Sequence, residues 1–124
     1  MRAPVLRQGK ILIGSIQGSL TDADLVALRD DLMNSVRAHR CTGVIIDVTV
    51  MDVLDSFAAR TLRGISLATR LLGADTVIVG IQPDVAVSMV QLGLTLEGAA
   101  TALDLEEGIA LLENRAGNAH DGPL

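Results

Sequence analysis

The chain has 124 residues, 49% of them hydrophobic, and a net charge of −5. That length makes one domain, and its core must be aliphatic, because Phe57 is the only aromatic residue. Without Trp or Tyr to stack on bases, and with a negative balance, nucleic-acid binding is excluded as a first reading. Cys41 is the single cysteine, so no internal disulfide can form. No signal peptide is visible, and a reducing cytoplasmic setting is expected. The longest uncharged stretch, 85–96, is twelve residues with Ser, Gln and Thr in it, too short and polar to span a bilayer.

In chain order, residues 4–7 and 10–16 read as two short strands around Gln8-Gly9, a hairpin. Gly18-Ser19-Leu20 leads to Thr21, which with Asp24 three residues on fits a capping box and starts a helix. Leu25, Leu28, Leu32, Ser35 and Val36 form its inward face. Arg37, His39 and Arg40 suit its negative end, and it stops before Gly43.

Residues 43–73 organise the rest. Val44-Ile45-Ile46 is a β-branched run bounded by Gly43, a buried strand. Alternation breaks down around Asp52 and Asp55, and from Phe57 the period is helical. At 100° per residue Ala58, Thr61, Leu62, Ile65, Thr69 and Leu72 face the sheet. Ser56, Arg60, Arg63 and Arg70 fall on the opposite stripe, with Leu67 and Leu71 close to it. Those two leucines are covered either within the fold or by a partner. Gly73 closes the helix.

Residues 75–80 form another buried strand. Gln82-Pro83-Asp84 opens a short helix with Val85, Met89 and Leu92 inward, ended by Gly93. Residues 99–103 read as an edge strand. Asp104 caps a last helix to about Glu113, with Leu105, Ile109 and Leu112 inward. The expected domain is 1–113, and 114–124 reads as a flexible polar tail. The order ββαβαβαβα predicts an α/β fold: a mixed, mostly parallel sheet of four to five strands packed against about four helices.

Ser56 stands at a helix entrance between carboxylates, with Arg60 one turn on. It reads either as an N-cap, whose oxygen accepts a first-turn N–H, or as a phosphorylation site. Asp47, Asp52 and Asp55 read as solvated loop carboxylates rather than a Mg²⁺ or acid–base cluster. His39 and His120 read as surface histidines and Cys41 as a packed or half-exposed thiol. There is no GxSxG, HExxH, CxxC, Walker A or GxGxxG, and no catalytic residue, metal ligand or cofactor is expected.

The blocks IIDVTVMDVLDSF and VIVGIQPDVAVSMVQLGL, in a compact chain, carry a resemblance to STAS domains over residues 4–113. Within that family the chain is similar to the RsbS-type scaffolds of the bacterial stressosome. The resemblance implies a non-enzymatic protein that self-associates into dimers and a large particle. It also implies co-assembly with RsbR-type STAS paralogues and sequestration of an RsbT-type serine/threonine switch kinase. Ser56 takes the phosphoacceptor position and Ser88 that of a second acceptor, although helical spacing alone makes Ser88 a small packing residue. The kinase would read Asp52, Val53, Leu54, Asp55, Arg60 and Gln82, on two loops expected at the C-terminal edge of the parallel strands. A free-standing anti-sigma-factor antagonist and a small-molecule or nucleotide-binding STAS module are the alternatives.

Overall fold

The computed structural model describes residues 3–17 and 20–120. Gly18 and Ser19, expected to lead into the first helix, and the tail residues 121–124 lie outside the described residues. In chain order the elements are β1 (Val5–Gln8), β2 (Ile11–Ser15), α1 (Asp22–His39), β3 (Gly43–Asp47) and α2 (Ser56–Leu71). Then follow β4 (Asp75–Val79), α3 (Pro83–Leu92), β5 (Ala99–Ala102) and α4 (Leu105–His120).

The strands form one five-stranded sheet in the order β1-β2-β3-β4-β5. β1 pairs antiparallel with β2; the other three pairings are parallel. The chain therefore steps across the sheet in one direction. Parallel crossovers share one handedness, so three steps the same way put α1, α2 and α3 on one face. Their core joins Leu28 and Leu32 from α1, Leu62 and Ile65 from α2, and Val85 and Met89 from α3 to Val44, Ile46 and Ile78 of the sheet. The alternate residues Ile45, Val77 and Val79 point the other way and meet Leu112 of α4. Both faces are thus buried, which is why the central strands read as continuous apolar runs. A Cβ on Gly108 would come within 2.8 Å of Val79 Cγ1, so α4 lies against the strands through its glycine.

The capping box that opens α1 is present: Thr21 Oγ1 accepts from Asp24 N and Asp24 Oδ2 accepts from Thr21 N, each at 3.1 Å. The backbone hydrogen bond from Thr21 holds the Asp24 carboxyl below its usual value. Its contribution to stability is therefore present above the ordinary carboxylate range and lost as pH falls through the lowered value. Asp104 caps α4, accepting from Glu107 N at 2.9 Å.

Several expected placements change. α4 continues to His120, past the boundary at Glu113. Leu72, Leu92 and Leu105, expected inward, are 43%, 64% and 36% exposed; each stands at the end of its helix, where fewer neighbours cover it. Ala59 and Ser66 are buried in α2 instead. Ser66 Oγ donates to Leu62 O at 3.0 Å, and Thr69 Oγ1 donates to Ser66 O at 3.0 Å. Since that uses Thr69's one proton, the 2.8 Å contact between the Thr69 and Thr76 hydroxyls has Thr76 as donor.

Cys41 is buried between α1 and β3, its Sγ 3.9 Å from Ser35 O. Burial pushes its thiol up, against the opposing pull of Arg7 and Lys10. A thiol so held is a poor nucleophile. We expect native Cys41 to alkylate at pH 8 at least about ten-fold more slowly than the urea-unfolded chain, read by mass spectrometry with iodoacetamide. Equal rates would contradict the burial.

Candidate functional site

Two loops meet at the C-terminal edge of the parallel strands. The first runs from β3 to α2 (residues 48–55), the second from β4 to α3 (80–82). The first begins with a local turn: Asp47 Oδ1 accepts from Thr49 N at 2.9 Å and from Thr49 Oγ1 at 2.6 Å. An Asp side chain bonded to the backbone two residues on is a common way to start such a loop. Met51 N donates to Val48 O at 2.9 Å and closes the turn. Asp47 is therefore committed to the loop's shape.

The cap of α2 falls one residue earlier than Ser56. Asp55 is extended (φ −82, ψ 175) and its Oδ1 accepts from Ala58 N at 2.8 Å. Ser56 is the first helical residue. The reading of Ser56 as N-cap is thus corrected: Asp55 takes that role, and the Ser56 hydroxyl is exposed and hydrogen-bonds no described residue. We expect Asp55→Ala to cost about 1 kcal/mol, near 4 °C in Tm, and Ser56→Ala to stay within about 0.5 kcal/mol. Thermal unfolding of the two variants checks the assignment.

Around Ser56 the exposed groups are Asp52, Val53, Asp55 and, one turn along α2, Arg60. Val53 is 72% exposed and Val50 59%. Val50 lies in a loop without a period, so nothing in the sequence marks it as outward. Leu54 was assigned to the partner surface, but it is 6% exposed and packed in the core. That assignment is corrected: Leu54 anchors the loop from below. A cleft of about 240 Å³ lies between the start of α1 and this loop, with Asp22, Asp52 and Asp55 among its walls.

The second loop touches the first. Gln82 Nε2 donates to Thr49 O at 2.7 Å, so the two loops form one surface. Ser88 lies on α3 and is exposed, beside Val87 and Val90 at 56% and 81% exposure; it is not the packing residue that spacing suggested. Farther along α2, Arg70 donates to Gly98 O at 3.1 Å and is tied into the fold. Leu67 packs against Gly98, while Leu71 is 89% exposed. Among the described residues no three His, Cys, Asp or Glu side chains gather as metal ligands, and no helix is long and apolar enough to cross a membrane.

The STAS domain profile matches residues 2–107. The chain belongs to the STAS domain family. This STAS chain is similar to an RsbS variant of Moorella thermoacetica, with 32% identity and a TM-score of 0.82 over 94% of this chain and 99% of that one. A second solved chain comes from a structure described as the molecular architecture of the stressosome, a signal integration and transduction hub. It shares 34% identity with a TM-score of 0.78, covering 91% of this chain and 98% of that one. The RsbT co-antagonist protein RsbRA of Bacillus subtilis (strain 168) is 32% identical over 99 residues, 80% of this chain and 36% of that protein. The chain thus spans about a third of that curated relative's length. It is a stressosome-like STAS protein, matching the Moorella RsbS variant and the stressosome chain almost end to end and the longer co-antagonist over one part.

Proposed function

We propose that the chain is a non-enzymatic stressosome scaffold. In this reading it co-assembles with RsbR-type STAS paralogues into a large particle and holds an RsbT-type serine/threonine kinase. Phosphorylation of Ser56 releases the kinase. The observation that carries the reading is the state of Ser56. Its hydroxyl is exposed at the first position of α2, and the cap that would have occupied it is supplied by Asp55. A kinase can therefore modify it without unfolding the helix.

Docking uses Val50, Asp52, Val53 and Ser56, an apolar and acidic surface at this edge. A phosphate on Ser56 brings about −1.5 to −2 charges next to Asp52 and Asp55. Docking then requires that charge to be desolvated beside two others, and the complex weakens. Ser88 is exposed on the adjacent helix and is the second acceptor in this reading.

A native pull-down from the source cell, with tagged wild type and Ser56→Asp as baits, tests the assignment. Wild type should retain longer STAS paralogues and a small kinase; the variant should keep the paralogues and lose the kinase. Retention of one small kinase without paralogues would favour a free-standing anti-sigma-factor antagonist. Retention of neither rejects the scaffold.

A further inference from the structure

Gln82 opens α3 in an unusual way. Its backbone is that of an N-cap (φ −68, ψ 147), followed by Pro83, yet its side chain caps nothing. Ser, Thr, Asp and Asn are the residues that serve a helix start, because a short oxygen-bearing side chain folds back onto the first turn. A glutamine gives up that service. Here its longer side chain crosses to the neighbouring loop and donates to Thr49 O at 2.7 Å. Two further features bring the loops to that distance. Gly80 has φ +79, and a Cβ there would run into the Thr49 hydroxyl, so the close approach needs a glycine. Thr49 is itself fixed by two hydrogen bonds to Asp47 at the end of β3.

We propose that Gln82 is a positioning residue: its amide sets the placement of the β3–α2 loop, and through it the surface around Ser56. The inference rests on the docking reading above and refines it, since Gln82 then acts through the loop and not as a contact of the partner. Because α3 begins at the next residue, the same tie joins the helix that carries Ser88 to the loop that carries Ser56. A displacement of α3 is passed to Thr49 through one hydrogen bond between residues 33 positions apart.

Gln82→Glu tests this with a side chain of the same size. It removes the donor and sets a carboxylate against a carbonyl oxygen. Hydrogen exchange is measured at the Thr49 and Met51 amides, whose N–H groups are bonded within the loop. Affinity for a purified RsbT-type kinase is measured alongside. We expect exchange at these amides to rise about five- to ten-fold, the scale of one lost hydrogen bond, with exchange in β3 and β4 unchanged. Kinase affinity should fall by a similar factor. Gln82→Lys, which restores a donor of comparable reach, should recover most of the protection. Unchanged exchange with weakened kinase binding overturns the proposal and makes Gln82 a direct contact. Faster exchange with unchanged binding overturns it too, because the loop's placement would then not be read. A wild type that binds no such kinase rejects the docking reading instead, and exchange alone still decides whether Gln82 holds the loop.

Discussion

Replacing Ser56 with Asp is expected to weaken binding of an RsbT-type kinase by about ten-fold or more, while Ser56→Ala keeps it within about two-fold. The Ala variant loses a hydroxyl that bonds no described residue, so little in the fold responds to it. The Asp variant adds a charge to an edge that already exposes Asp52 and Asp55, on a chain of net charge −5. Two features of α2 oppose the loss. The positive end of the helix favours a negative group by about 0.3–1 kcal/mol, and Arg60 stands one turn away. A charge desolvated at an interface without a partner costs about 2–5 kcal/mol, which is the larger effect. Asp carries less charge than phosphate, so it gives a lower bound to the switch. Calorimetric titration at two salt concentrations checks the size and separates the causes, since repulsion between exposed charges shrinks as salt rises whereas a desolvation cost persists. Equal affinities for wild type and the Asp variant would sink the switch.

The largest effect on stability near the site is expected at Leu54. Truncating a buried leucine removes its transfer free energy and leaves a cavity, so Leu54→Ala should cost about 2–4 kcal/mol and lower Tm by roughly 10 °C. Val53 is its immediate neighbour and 72% exposed, so Val53→Ala should change stability by less than about 0.5 kcal/mol. The order reverses for the partner: Val53→Ala weakens kinase binding, whereas Leu54→Ala at a temperature where it is folded does so only as far as the loop loosens. Urea unfolding and kinase titration on the same two variants separate anchor from contact. A Leu54→Ala variant as stable as wild type would mean that the loop does not pack as described.

The sheet and its helices were legible because period and punctuation agree. Val44-Ile45-Ile46, short and β-branched beside Gly43, reads best as a buried core strand, and Thr21 with Asp24 marked the start of α1 to the residue. The serine's role was half legible. Asp55 and Ser56 are both good cap residues in adjacent positions, and only the backbone angles decide which one caps. Leu54 was misread because a loop has no period to tell inside from outside. Leu72, Leu92 and Leu105 were misread because a helical wheel treats the helix as endless, while these three stand at helix ends and are partly or largely exposed. Gln82 was placed on the right edge, but its bond to Thr49 spans 33 positions and no local pattern announces it. Gly117 and the polar residues after Glu113 suggested a tail, yet α4 continues to His120, with the good helix formers Arg115, Ala116 and Ala119 in that stretch.

The most direct test of the central claim is phosphotransfer in a purified system: this chain, an RsbT-type kinase and ATP, with the modified residue mapped by mass spectrometry and kinase retention followed in parallel. A first phosphate is expected on Ser56, with its loss in Ser56→Ala and departure of the kinase in step with modification of the wild type alone. A first phosphate on another residue, or a kinase that stays bound to chains phosphorylated at Ser56, would contradict it.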